Sequence, residues 1–132
     1  MDSDSSFSND SGQASASHCF PAATFPIMVT YDKNAAKEID RSYQTSEIIN
    51  QRLRTLDAIS LRRGESVLDV GCGTGLLLEM MAGMVGDSGR VTGLDFSADM
   101  LEFAQARCEG LAQTNLLQGS VENLDLDPNQ FD

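Results

Sequence analysis

The sequence contains no tryptophan, a single histidine, three prolines and three cysteines. Positive charge is also scarce, since nine basic residues stand against twenty acidic ones, for a formal net charge of −11. Nucleic acids and anionic membrane surfaces bind clustered positive charge, so both are poor partners for this chain. The cysteines at positions 19, 72 and 108 lack metal-ligand spacing and are odd in number, which favours a reduced, cytoplasmic protein without a metal site.

Long apolar runs are missing as well. No run reaches the length of a transmembrane helix, and the amino-terminal residues lack the basic start and apolar core of a secretory signal. Residues 1–17 hold seven serines, three aspartates and no basic residue, a composition typical of disorder. The apolar segment 20–29 has two open interpretations, as a docking segment or as an arm that covers the core.

The most informative segment reads VLDVGCGTG over residues 67–75. Its valine-rich start predicts a buried parallel strand, its alternate glycines predict a tight turn, and the apolar run Leu76–Met81 predicts a helix. Strand, glycine turn and helix together bring backbone N–H groups up to a bound ligand. Asp69 lies inside the apolar strand, where a carboxylate is costly unless a loop N–H group or a ligand cation pairs with it.

This segment resembles motif I of the class I S-adenosylmethionine-dependent methyltransferases. Dinucleotide-binding folds use G-x-G-x-x-G, in which the third glycine lies three residues after the second, whereas Gly75 follows Gly73 by two. The string VTGLDFSADML at residues 91–101 resembles the second motif of the same methyltransferase family. Asp95 ends this second predicted strand, at the place where an acid accepts hydrogen bonds from ribose hydroxyls.

A third strand is predicted over residues 115–118, and it leads into the string GSVENL at 119–124. The family often reads G-D-A-E-N-L there, with the aspartate bonding the adenine amine. In this chain that position is Ser120, whose neutral hydroxyl is a weaker hydrogen-bonding partner than a carboxylate. The resemblance implies that Ser120 and the backbone of Val121 read the adenine edge.

The resemblance implies an α/β, Rossmann-like fold with a mainly parallel sheet, here consisting of the first three strands and the start of a fourth at Phe131–Asp132. The complete family fold is about twice as long, so we expect this chain to carry the cofactor-binding half. The expected organisation is a disordered tail at 1–17, an arm with lid-like helices at 18–63, and the cofactor-binding half at 64–132. With the edge of the first strand uncovered, such a chain is expected to self-associate and to be inactive alone.

Two helices are predicted before motif I, one over residues 35–43 and one with an apolar face formed by Ile49, Leu53, Leu56 and Ile59. Arg62 and Arg63 suit the last turn of the second helix, and Gly64 suits the position just beyond it. In relatives such segments cover the cofactor. The lid candidates are Tyr31, Arg41 and Tyr43, and ordinary surface or packing roles are the alternative.

The function implied by the resemblance is transfer of the methyl group of S-adenosyl-L-methionine to a small-molecule acceptor. The implied cofactor-binding residues are Asp69, Gly71, Cys72, Gly73 and Gly75 around the methionine end, Asp95 at the ribose, and Phe96, Met100, Ser120 and Val121 at the adenine. No catalytic base is identified, because the family commonly places acceptor residues after the fourth strand. Two alternatives remain, a nonenzymatic cofactor-binding module or inactive fragment, and an NAD-dependent oxidoreductase.

Overall fold

The computed structural model describes residues 31–127 and 129–132, and two helices come first. Helix α1 covers Lys33–Tyr43 and is capped by Asp32, whose side chain accepts a hydrogen bond from the Ala35 backbone N–H at 2.8 Å. Helix α2 covers Ser46–Ile59. The two predicted helices are therefore confirmed. The predictions for the tail at 1–17 and for the apolar segment at 20–29 lie outside the described residues.

Helix α2 ends earlier than the sequence predicted. Ser60 adopts a left-handed conformation with φ 51° and ψ 50°, and its N–H group donates to the carbonyl of Leu56. The helix therefore ends at Ile59, and Arg62 does not belong to its last turn. Gly64, expected directly beyond the helix, instead takes φ 90° in the turn that follows. The prediction was wrong because a serine occupies a conformation that glycine usually supplies.

Three parallel strands form a sheet in the order β1-β2-β3. Strand β1 covers Ser66–Val70, β2 covers Arg90–Asp95, and β3 covers Thr114–Gln118. In the register, Val70 lies opposite Leu94, and Asp95 lies opposite Gln118. Because the strands are parallel, their carboxyl ends meet at one edge of the sheet, as the predicted Rossmann-like arrangement requires.

Each crossover between strands contains one helix. Helix α3 covers Leu76–Val85 and follows β1, and helix α4 covers Ala98–Arg107 and follows β2. The hydrophobic core joins α2, α3, β2 and the end of α4 through Leu56, Leu78, Met81, Ala82, Val85, Val91 and Cys108. Within residues 31–127 and 129–132, no helix has the length and apolar character needed to cross a membrane.

The outer edge of β1 carries the last residue of the chain. The Asp132 backbone N–H donates to the Ser66 carbonyl at 2.9 Å, and the Ser66 N–H donates to Asp132 Oδ2 at 2.8 Å. Arg90 of β2 instead bonds the neighbouring Glu65 carbonyl, which points the opposite way, so Asp132 lies on the edge of β1 away from β2. This is the edge where a fourth strand was predicted, although Phe131–Asp132 form no strand themselves.

Candidate functional site

A cavity of about 390 Å³ lies where the carboxyl ends of the three strands meet. Its lining comes from the ends of β1, β2 and β3 and the residues just after them, namely Val70, Gly71, Leu94, Asp95, Phe96, Gly119, Ser120 and Val121. Five of the predicted site residues, Gly71, Asp95, Phe96, Ser120 and Val121, are therefore brought together in one cavity. Ligands of open parallel sheets bind at such a place, outside the carboxyl ends of the strands.

Most N–H groups of the glycine loop, residues 71–75, are bonded within the protein. Gly71 and Cys72 both donate to the Leu94 carbonyl, at 2.8 and 3.0 Å, and Gly73 donates to Asp95 Oδ2 at 2.9 Å. Gly75 donates to the Cys72 carbonyl at 3.0 Å. These four N–H groups therefore already have acceptors, in strand β2 and in the loop itself.

The three loop glycines all adopt positive φ but have different surroundings. A Cβ on Gly71 (φ 78°) would meet nothing within 4 Å, so the absence of a side chain leaves open space at the cavity. A Cβ on Gly75 (φ 80°) would lie 2.9 Å from both Cα and Cβ of Ala104. Gly75 is thus needed for the close packing of α3 against α4, whereas Gly71 leaves room for a ligand.

Asp95 organises the loop. Asp95 is only 8% exposed, and its two carboxylate oxygens accept from the N–H groups of Gly73 and Ser97, each at 2.9 Å. The bond to Gly73 links the end of β2 to the loop after β1. Each oxygen still has acceptor capacity, since a carboxylate offers about four lone-pair sites.

Asp69 is the penultimate residue of β1, and its Oδ2 atom is buried without a hydrogen-bond partner. Burial raises the pKa of this carboxyl above its ordinary value, the positive charge of Arg52 works in the opposite direction, and Asp95 adds a smaller upward effect. An ionised group in this position has lost water without gaining a bond in return. The structure thus brings Asp69 close to the loop but does not include it in the cavity lining.

Tyr43 lies beside the same loop, and Arg52 stacks on the Tyr43 ring. The guanidinium carbon of Arg52 is 4.5 Å from the ring centroid of Tyr43, a cation–π distance. The Cε2 atom of Tyr43 is 3.8 Å from the point where a Cβ on Gly73 would be. Tyr43, a predicted lid candidate, therefore contacts the site. Arg52 was missed, although its place four residues before the buried Leu56 puts an arginine on the buried face of α2.

Arg107 is a second residue that the sequence did not reveal. Its Nε donates to the Thr74 carbonyl at 3.0 Å, and its terminal nitrogens pair with Asp40 of α1 and Glu79 of α3. Its side chain is only 18% exposed. Arg107 therefore joins α4, α1, α3 and the glycine loop, and its helical spacing alone could not distinguish it from an ordinary last-turn arginine.

The other two lid candidates differ from each other. The rings of Tyr31 and Phe96 have centroids 6.5 Å apart, within the range of aromatic pairs, so Tyr31 reaches a residue of the cavity. Arg41 instead pairs with Glu38 of its own helix, and 73% of its side chain is exposed. The lid interpretation of Arg41 has no support from these contacts.

Cys72 and Met100 are buried rather than part of the cavity lining. The Cys72 side chain lies against β2, since a Cβ on Gly93 would be 2.9 Å from its Sγ, and burial raises the pKa of its thiol to about 12. The thiol is therefore neutral at physiological pH, in agreement with a small packing residue. Met100 is 4% exposed, and its N–H donates to Ser97 Oγ at the start of α4.

Comparison with known proteins places these features in one family. A family model described as a methyltransferase domain matches residues 67–132, which is half of the chain. A demethylmenaquinone methyltransferase of Staphylococcus carnosus is 36% identical over 81 residues, covering 61% of this chain and 34% of that protein. An uncharacterised 37.1 kDa protein of transposon Tn4556 from Streptomyces fradiae is 38% identical over 108 residues, covering 81% of this chain and 29% of that protein.

The fold comparison agrees. The crystal structure of an S-adenosylmethionine-dependent methyltransferase from Aquifex aeolicus matches with a TM-score of 0.64 and 26% identity, over 78% of this chain and 55% of that one. The chain thus spans about a third of the length of the two curated relatives and about half of this solved structure. S-adenosyl-L-methionine is the cofactor of the family, which decides against the NAD-dependent alternative. The chain belongs to the class I S-adenosylmethionine-dependent methyltransferases.

Proposed function

We propose that this chain forms the cofactor-binding half of an enzyme that transfers the methyl group of S-adenosyl-L-methionine to a small-molecule acceptor. The observation that carries the proposal is the cavity at the carboxyl ends of all three strands, which contains the Asp95 carboxylate. The chain spans only part of its relatives' length, so methyl transfer by the whole protein is itself part of what we propose.

The cavity suits the adenosine part of the cofactor. Asp95 has lone pairs beyond the two that accept from Gly73 and Ser97, and ribose hydroxyls would donate to them. Phe96 and Val121 are 49% and 55% exposed, so each offers apolar surface to the adenine ring. The Ser120 hydroxyl accepts from the Glu122 N–H at 3.4 Å and retains a lone pair for the adenine amine.

The methionine part would lie along the glycine loop. Asp69 Oδ2 is buried without a partner and suits the ammonium group of the cofactor. Gly71 leaves open space where a side chain would otherwise stand. Cys72, Gly73 and Gly75 then act by shaping the loop, through their bonds to β2 and the packing against α4.

The chemistry needs binding and orientation more than side-chain reactivity. The bound cofactor supplies an activated methyl group for in-line transfer to a nucleophile. The residues of this chain fix the adenosine and the amino-acid end, so that the acceptor meets the methyl group in one orientation.

A small molecule is the acceptor class that the charge favours. The net charge of −11 opposes binding of a polyanion such as nucleic acid. Relatives at about one-third identity are named demethylmenaquinone methyltransferases, which supports a small organic acceptor without specifying it.

The test is methyl transfer from radiolabelled S-adenosyl-L-methionine by the intact protein, with quinone, lipid, metalloid and amine acceptors. We expect transfer to at least one small acceptor, strongly reduced by Asp69→Asn. Asp87→Asn changes the same residue type in an exposed turn at the opposite end of the sheet, and it should retain wild-type activity. Tight cofactor binding without turnover of any acceptor would instead indicate a nonenzymatic binding module, and no cofactor binding at all would contradict the proposal.

A further inference from the structure

Helix α1 buries little apolar surface. In the part of the chain that the structure describes, Ala36 is the only fully buried residue of this helix. Burial of an apolar face normally fixes a helix in place, and a single alanine contributes little to it. The position of α1 therefore depends on its polar contacts. Among the described residues, Asp40 and Arg107 form the least exposed ion pair of this helix.

Arg107 connects α1 to the glycine loop. Its Nη2 donates to Asp40 Oδ1, and its Nε donates to the Thr74 carbonyl at 3.0 Å. The second oxygen of Asp40 accepts from Gln44 Nε2 at 3.0 Å, which fixes the orientation of the carboxylate. The side chains of Arg107 and Asp40 are only 18% and 16% exposed, so solvent screens their attraction weakly. Because the guanidinium is a rigid planar fork, it fixes its two acceptors relative to each other.

Helix α1 also contacts the loop directly. Tyr43 follows Asp40 by three residues, so the two side chains are neighbours on one face of the helix. The Cε2 atom of Tyr43 is 3.8 Å from the point where a Cβ on Gly73 would be. Two consecutive loop residues are thus connected to α1, Gly73 through the Tyr43 ring and Thr74 through Arg107.

We propose that Arg107 and Asp40 are positioning residues for the cofactor, because their ion pair holds α1 in place and keeps the glycine loop in its ligand-binding conformation. This inference rests on the proposed function. Neither side chain lines the cavity, so both act on the ligand through the loop and Tyr43. Without the ion pair, α1 leaves the loop for part of the time. The apparent affinity for the cofactor then falls in proportion to the fraction of protein that remains competent to bind.

The test is calorimetry with S-adenosylhomocysteine on the intact protein and its variants. Arg107→Met and Asp40→Asn should each weaken binding by about 5- to 150-fold, the usual range of coupling between separate sites. Since both changes break one ion pair, the double variant should bind no more weakly than Arg107→Met alone. Weakening by the product of the two single effects would overturn the proposal, and so would an unchanged affinity in a folded Arg107→Met variant.

Lys33→Met is the matched control. Lys33 pairs with Glu102, so this variant breaks another ion pair between α1 and α4, whose side chains are 66% and 60% exposed. Exposed pairs contribute little, so the affinity for S-adenosylhomocysteine should stay unchanged. A loss comparable to that of Arg107→Met would show that the buried pair has no special role, against the proposal.

Hydrogen exchange distinguishes positioning from a general loss of structure. Arg107→Met should speed amide exchange in α1, whereas β2 and α3 should keep their protection. Equal loss of protection throughout the molecule would indicate a structural role alone and contradict the proposal. In the wild type, S-adenosylhomocysteine should slow exchange in α1, and no slowing there would count against the proposal even if the variants failed to fold. Failure of the wild type to bind this ligand would overturn the proposed function, and this inference with it.

Discussion

The carboxyl ends of β1 and β2 both carry an aspartate, and the fold uses the two in opposite ways. Both carboxylate oxygens of Asp95, at the end of β2, accept from backbone N–H groups, and one of these bonds connects the strand to the glycine loop. Asp69, near the end of β1, keeps one buried oxygen without any partner. Asp95 therefore stabilises the site in the absence of a ligand. Asp69 Oδ2 instead lacks a hydrogen-bond donor, which a ligand can supply.

Replacing Asp95 should produce the largest effect. Asp95→Ala leaves the part-buried N–H group of Gly73 and the buried N–H group of Ser97 without an acceptor, and each unsatisfied donor costs about 1–3 kcal/mol. We expect the free energy of unfolding of the unliganded protein to fall by about 2–6 kcal/mol, measured by urea denaturation. S-adenosylhomocysteine binding should weaken by about ten- to a hundredfold or more. Asp87→Ala is the matched control, and a stable variant with normal affinity would remove Asp95 from both roles.

Substitutions at the two ends of the glycine loop should also differ, with the larger loss of stability at Gly75 and the loss of cofactor binding at Gly71. Gly75→Ala adds a Cβ that would be 2.9 Å from Cα of Ala104, at φ 80°. The strained backbone and the overpacking should together lower the free energy of unfolding by about 2–5 kcal/mol. Gly71→Ala meets no atom and should cost about 1–2 kcal/mol, mainly from its backbone, while weakening cofactor binding. Equal destabilisation by both substitutions in denaturant titrations would contradict this division.

Asp69→Asn tests the other side of the comparison, and its effect should depend on pH. Burial raises the pKa of Asp69 above 3.8, so the folded protein holds this proton more tightly than the unfolded chain does. Ionised Asp69 therefore lowers stability at neutral pH, and this loss disappears as the pH falls to the ordinary carboxyl range. The unliganded variant should be at least as stable as the wild type at about pH 7, with an advantage that shrinks in acid.

Asp69→Asn should lower the affinity for the cofactor at neutral pH, although it does not lower the stability of the unliganded protein. Because the ionised carboxylate binds the ammonium, the wild-type affinity should fall as the pH is lowered towards the raised pKa of Asp69. Asp69→Asn should bind more weakly at neutral pH and lack this component of the pH dependence, as calorimetry at several pH values would show. Strong destabilisation of the unliganded variant at neutral pH would mean that Asp69 has a partner within the protein.

The smallest effect is expected at the end of β3. Ser120→Asp adds a carboxylate there, and charge-assisted hydrogen bonds are about twice as strong as neutral ones. We expect tighter binding of S-adenosylhomocysteine and greater discrimination against its inosine counterpart, which lacks the adenine amine. Ser120→Ala should weaken the binding of S-adenosylhomocysteine and reduce the discrimination against the inosine counterpart. Weaker discrimination after Ser120→Asp, measured by competition between the two ligands, would contradict the assignment of this position to the adenine.

Local chemistry explains why the order of elements was predictable. The valine-rich run at 67–70 and the following glycines are recognisable because strands and positive φ each favour particular residue types. The prediction that this strand is buried was wrong, since β1 lies at the edge of the three-stranded sheet and Val70 is exposed. Ser97, a good N-cap residue, does cap α4 through its side chain. The predicted end of α2 was wrong because Ser60 adopts the left-handed conformation that residue preferences assign to glycine.

The sequence by itself determined the strand–glycine loop–helix unit, the acids near the ends of β1 and β2, and the family, because each depends on residues adjacent in the chain. Only the tertiary structure decided which partners these groups have. Gly73 donates to Asp95, Gly75 packs on Ala104, and the charge of Arg52 acts on Asp69, across separations of many residues. Such contacts depend on how the helices pack on the sheet, and this packing determines which polar atoms remain for a ligand.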